Sequence, residues 1–210
     1  MMRTIHAAAE EIRQGRLSPV DLLETCLQRI EQVEPRVRAW VFVDRDGARA
    51  EAKRCADEVR RGQWRGPLHG VPLGIKDIID VFDWPTAAGS RLWANSIARQ
   101  DATVVRRLRA AGAVFVGKTV TTQYASFDPP PTRNPWNPER TPGGSSSGSA
   151  AAEPLLEPAG VLLRRCRLQA DLWPRQHAWR RAPGTFDGSP RPHGPLRPGS
   201  RSAAPGDRWP

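Results

Sequence analysis

Along the first half of the chain, hydrophobic positions recur with periods that alternate between helix and strand. Val20, Leu23, Leu27 and Ile30, with Cys26 and Val33 beside them, fall three and four residues apart and so line one face of a helix. Ser18 and Pro19 supply its start: a side chain that can cap the free N–H groups, then a proline whose missing N–H is not needed in the first turn. Pro35 is its expected stop. The run Ala39–Val43 predicts a buried strand, and the charged segment Ala48–Arg61 predicts a polar helix. Val71–Ile79 and Val114–Val116 predict two further strands, with Ala102–Ala111 as the helix between them, stopped at Gly112. Strand, helix, strand is the rhythm of an α/β layer fold.

The pattern stops near residue 153. Residues 153–210 hold 10 Pro, 10 Arg and 6 Gly and contain no Lys, Ile, Asn, Tyr or Met. Only Val161–Leu168 could attempt a helical turn. Such a composition buries too little apolar surface to offset the entropy of ordering, so it predicts a disordered tail. The chain therefore divides into an ordered part, 1–152, and a Pro/Arg-rich part, 153–210.

Composition narrows the function classes. With 210 residues and 39% hydrophobic content there is enough material for one core. The longest apolar runs, such as AGAVFVG at 111–117, are far short of the ~20 residues that a membrane-spanning helix needs. Acidic residues stand where a signal peptide would carry its apolar stretch, and Cys26, Cys55 and Cys166 form neither a disulfide framework nor a metal knuckle. Both features fit a cytoplasmic protein. The net charge of +10 comes from 29 Arg and only three Lys, spread without a basic stripe, so arginine-favouring codons account for it as well as a nucleic-acid surface does.

Two features carry chemistry. Lys76 lies inside the apolar run HGVPLGIKDIID; a lysine buried there would have a lowered pKa and could act as a neutral base, whereas an edge-strand lysine would simply reach solvent. The segment PGGSSSGSAAA at 142–152 runs a Gly/Ser loop into a helix-forming alanine stretch, which suits either a cradle for a developing oxyanion or a flexible linker. Gly144–Gly148 formally satisfies G-x-S-x-G, but the polar, proline-rich sequence before it cannot be the buried strand which that motif requires. No phosphate-loop or dinucleotide motif is present, and His6, His69, His177 and His193 have no ligand spacing; His69 is expected to pack or hydrogen-bond locally.

Four blocks, GPLHGVPLGIKDIIDV, TAAGSRL, DATVVRRLRAAGAVFVGKT and PTRNPWNPERTPGGSSSGSAAA, together resemble the amidase signature family in order and spacing, over roughly residues 4–152. The resemblance implies a mixed β-sheet with packed helices behind N-terminal helices, of which this chain would hold an incomplete part. It also implies cleavage of amide C–N bonds by a Ser–cis-Ser–Lys triad. Lys76 matches the triad lysine and Ser145 the bridging serine; Ser146, with Gly143 and Gly144, would support the loop. In that chemistry a neutral lysine draws a proton, through the bridging hydroxyl, from a second serine that attacks the carbonyl. The relay needs neither metal nor organic cofactor, and the substrate implied is a small-molecule amide. Gln123 stands where many members carry Glu.

The nucleophilic serine has no counterpart. Its expected place falls near Gln169, and the later Ser189, Ser200 and Ser202 sit in Pro/Arg-rich sequence without the family's Gly-Gly-Ser turn. Reading the codons of this region one base later forces Gly at Trp173–Pro174 and at Trp179–Arg180, and permits RPASYCGVAGFKPTYGRVSTRGVAPLA, which resembles the family's sequence just beyond the nucleophile. A short loss just after Ala152 that shifted the frame would explain the whole tail. The leading expectation is thus a truncated amidase that is inactive as this chain. The alternatives are a fragment of the A subunit of an aspartyl/glutamyl-tRNA amidotransferase, which would need partner subunits, and a basic module whose Arg/Pro tail binds nucleic acid.

Overall fold

The computed structural model describes residues 4–126 and 128–152. The expectations made for 153–210 lie outside the described residues. Helix α1 (Ile5–Arg13) begins at Thr4, whose hydroxyl accepts the Ala7 N–H at 3.1 Å. Helix α2 (Pro19–Val37) begins as the sequence predicts, with Ser18 Oγ accepting the Val20 N–H at 3.2 Å and Pro19 in the first turn. It does not stop at Pro35. The helix runs two residues further, because buried Val37 completes its apolar face and Arg38, at φ 54°, makes the turn instead. The Glu34 carboxylate then receives the N–H groups of Ala39 and Trp40 at 3.0 and 2.9 Å, which fixes the chain's entry into the sheet.

Strand β1 (Trp40–Val43) leads into α3 (Arg45–Arg60), followed by β2 (Pro72–Lys76), α4 (Thr103–Ala110), β3 (Val114–Thr119) and a short α5 (Ser147–Ala152). The sheet order is β1-β3-β2, with β2 parallel and β1 antiparallel to β3. It is a mixed sheet with packed helices. All six residues of central β3 are buried. β1, expected to be buried throughout, is an edge strand: Trp40 is buried, but Val41 is 48% exposed. β2 also ends earlier than its apolar run, because the Lys76 carbonyl accepts the N–H groups of both Ile78 and Ile79, turning the chain out of the sheet.

The main core joins α2, α3, β1, β3 and α5 through Leu23, Leu27, Ile30, Trp40, Ala52, Cys55, Val114 and Val116, with Ala151 and Ala152 closing it. A second cluster packs α4 against the other side of the sheet through Ile75, Val105 and Phe115. The Gly/Ser loop is therefore anchored at its far end by buried helix rather than swinging as a linker. Among the described residues no helix is long and apolar enough to cross a membrane.

Candidate active site

Side chains alternate across β2 and β3, and that alternation sorts the chemistry onto two faces. Lys76 is the last residue of β2 and pairs with Thr119, the last of β3. Thr119 Oγ1 lies 2.9 Å from Ser149 Oγ, so this face looks towards α5 and the loop before it. Lys76 Nζ donates to Ser145 Oγ at 2.8 Å. Burial pushes the Lys76 amine below the ordinary lysine value, because the charged form gives up hydration there.

Ser145 is held from behind. Its carbonyl accepts the Thr122 N–H at 3.0 Å and the Thr121 hydroxyl at 3.1 Å. The peptide bond between Gly144 and Ser145 is cis. Gly144 lies so close to Thr122 that a β-carbon would come within 2.8 Å of its methyl group. Gly143, at φ 92°, takes a backbone conformation open to glycine, and its N–H donates to Thr141 Oγ1 at 3.2 Å. Ser146 enters through its backbone, its carbonyl accepting the Ala150 N–H at 3.0 Å. The loop's buried hydroxyl bond belongs to Ser147, whose Oγ donates to the Gly143 carbonyl at 2.6 Å. The amide of Gly148 donates to the Val120 carbonyl at 2.8 Å, so that N–H is committed to packing and not to an oxyanion.

The structure thus brings Lys76 and Ser145 together and surrounds them with Gly143, Gly144 and Ser146. Sequence reasoning missed Thr121 and Thr122, and it missed a buried pair on the opposite face. Lys118 is fully buried, and its amine reaches Asp77 Oδ1 at 3.3 Å. Burial lowers the Lys118 pKa, and the Asp77 carboxylate opposes that shift. The criterion that singled out Lys76, a cation in an apolar run, would also have found Lys118 in AVFVGK.

Cys55, Glu58 and His69 bring one donor atom each within 4.8 Å of one another, a donor set that a metal could use. Their bonding says otherwise. The Glu58 carboxylate is gripped by the Arg65 guanidinium, His69 Nε2 meets the Cys55 carbonyl at 3.0 Å, and His69 Nδ1 accepts the Arg65 N–H at 3.4 Å. Burial also pushes the Cys55 thiol up to about 11. The cluster ties α3 to the loop before β2, with His69 packed on Trp64 and hydrogen-bonded both to nearby Arg65 and to Cys55, 14 residues away.

The fold is an α/β layer, a mixed sheet with packed helices, and the Lys76–Ser145 contact lies where β2 ends beside the Gly/Ser loop. Comparison with known proteins gives the family: the Amidase family model matches residues 21–152, and the chain belongs to that family. The chain is 45% identical over 157 residues to the A-type component of the glutamyl-tRNA(Gln) amidotransferase of Roseiflexus sp. (strain RS-1), covering 71% of this chain and 32% of that protein. Native peptide amidase from Stenotrophomonas maltophilia superposes with a TM-score of 0.67 at 36% identity, over 71% of this chain and 33% of that one. A bacterial aryl acylamidase of the amidase signature family gives a TM-score of 0.67 at 27% identity, over 72% and 33% of the two chains. The chain spans about a third of the length of these relatives.

Proposed function

We propose that this chain carries the base and the proton-relay serine of an amidase-type hydrolase of carbon–nitrogen bonds, and that it is inactive as it stands. The observation that carries the first half is the 2.8 Å bond between Lys76 Nζ and Ser145 Oγ, at an amine whose burial favours the neutral form. With the amine neutral, its lone pair accepts the Ser145 O–H, and Ser145 can in turn take a proton from an attacking hydroxyl. The proton returns along the same route to the leaving amine, which otherwise departs poorly.

The second half rests on the sequence. The family match stops at 152, where the composition breaks and beyond which a Gly-Gly-Ser turn is lacking. A frame shift after Ala152 accounts for both. Purified full-length chain is expected to show no turnover of small amides; turnover that Lys76→Ala abolishes would overturn the reading of inactivity. The nucleotide sequence beyond codon 152, read one base later, is expected to give a family-like continuation. Stop codons in that frame would sink the frame-shift account.

The 45% identity to an amidotransferase component favours a second reading, a fragment of such a component. Neighbouring genes for its partner subunits would support it. Both readings share the relay.

A further inference from the structure

We infer that the buried Asp77–Lys118 pair is a positioning device for the Lys76–Ser145 pair, acting on Lys76 through the adjoining turn at Asp77 and on Ser145 through the loop 85–90. The inference deepens the amidase reading and rests on it.

Asp77 and Lys118 are 1% and 0% exposed, on the sheet face opposite Lys76 and Thr119. Lys118 has three N–H donors and three partners for them: the Pro85 carbonyl at 2.8 Å, Thr86 Oγ1 at 2.8 Å and Asp77 Oδ1 at 3.3 Å. Asp77 Oδ1 also accepts the Ala87 N–H at 3.3 Å, and the Asp77 carbonyl accepts the Ala88 N–H at 2.9 Å. Residues 85–88 are therefore strung along the pair. Asp77 itself is locked to the sheet, its N–H donating to the Thr119 carbonyl at 3.0 Å, and that bond sets where the adjoining Lys76 leaves β2.

The loop carries the constraint on to Ser145. The Ala88 carbonyl accepts the Tyr124 N–H at 2.8 Å, and the Tyr124 hydroxyl donates to Ser90 Oγ at 2.9 Å. A β-carbon on Gly89 would come within 2.9 Å of the Thr121 carbonyl, so the loop and the segment 121–124 are in backbone contact. Thr121 and Thr122 are the residues that hold the Ser145 carbonyl.

Stability alone does not account for the pair. Burying two charges is costly, and replacing such a pair with apolar side chains of similar volume is often neutral or better. Here Asp77 Oδ2 is buried with no partner among the described residues, so the pair is not even fully satisfied. What an apolar pair could not do is hold the Pro85 carbonyl, Thr86 and the Ala87 N–H in place.

The test uses the full-length protein and its three lysines, Lys53, Lys76 and Lys118. Labelled with carbon-13 at Cε, they give three signals that single substitutions assign. In the parent chain Lys76 is expected to titrate below the ordinary lysine value of 10.5. In Asp77→Asn and in Lys118→Met alike, the Lys76 titration is expected to rise towards the ordinary lysine value of 10.5. Loss of charge alone would give opposite signs, since removing an anion lowers a lysine's pKa and removing a cation raises it. Should either single variant fail to fold, the double variant Asp77→Leu/Lys118→Met keeps the core filled and is expected to show the same rise. Val33→Ala, which weakens the main core elsewhere, is expected to leave Lys76 unmoved. A depressed Lys76 titration that stays put in the variants, or that falls in Asp77→Asn, overturns the positioning role alone. If Lys76 titrates at the ordinary lysine value of 10.5 in the parent, the base reading falls and this inference falls with it.

Discussion

Lys76 and Ser145 lie 69 residues apart in the chain and meet at 2.8 Å, the lysine at the end of a strand and the serine in a loop held by Thr121 and Thr122. Burial holds the lysine amine below its ordinary value of 10.5. Between that lowered value and 10.5 the unfolded chain binds more protons than the folded one. The stability due to Lys76 therefore rises with pH through this window and is lost as pH falls below it. Lys118 is shifted in the same direction, so the Lys76 share is the difference between parent and variant. Cys26 and Cys55 are shifted the opposite way, so denaturation measured across alkaline pH is expected to give a less positive slope of stability against pH in Lys76→Met than in the parent. Equal slopes would mean a hydrated amine.

The helix after the loop is docked backbone to backbone. A β-carbon on Gly148 would collide with the Val120 amide nitrogen and the Ala39 carbonyl oxygen, and neither can move without disturbing the sheet. Gly148→Val is expected to destabilise the protein by about 3 kcal/mol, the upper range for overpacking. Ser149→Ala removes a single hydrogen bond, to Thr119, and is expected to cost about 1 kcal/mol. Urea unfolding separates the two. A near-zero cost for Gly148→Val would mean that α5 does not rest on β3.

Much of this arrangement was legible in the sequence, and the failures have physical causes. Local signals worked where one residue does the job: Ser18 and Pro19 start α2, and the spacing of Val20 to Val33 sets its buried face. They failed where the answer depends on a neighbour far along the chain. Ile78 and Ile79 look like strand, yet both amides fold back onto the Lys76 carbonyl, and Asp77 is drawn towards Lys118 on β3. The exposure of Val41 follows from β1 lying at the sheet edge, and strand order is not written in hydropathy. The apolar run around Lys76 resumes at Ile78 and Ile79, whereas the run before Lys118 gives way to Thr119, Thr121 and Thr122, which disguise a buried strand end although the same criterion applies there.

Two thiols give a simple check of the core. Burial pushes Cys26 up to about 12 and Cys55 up to about 11, so neither carries appreciable thiolate near neutral pH. Both are buried, Cys26 against Ile12 and Leu22, and Cys55 beneath the Gly112 carbonyl. Iodoacetamide is expected to leave both unmodified in the native protein and to alkylate both in denaturant, as read by peptide mass spectrometry. Rapid native labelling of either would mean that the α2–α3 packing opens readily.

The relay itself is best tested in a protein whose frame has been restored beyond Ala152, with a serine placed three codons before the shifted Arg-Pro. If Lys76 and Ser145 pass one proton between them, they act as a unit, and each is useless without the other. Lys76→Ala and Ser145→Ala are each expected to lower kcat for a small amide on the order of 10³-fold. The double variant should then lose no more than the worse of the two single variants, since the second deletion removes a partner that already has nothing to relay to. Ser146→Ala separates a structural serine from a relaying one. Ser146 engages α5 through its carbonyl, which alanine retains, so a loss of about tenfold or less is expected. Multiplicative losses for Lys76 and Ser145 would show two independent contributions, and the 2.8 Å contact between them would then be packing and not a proton path.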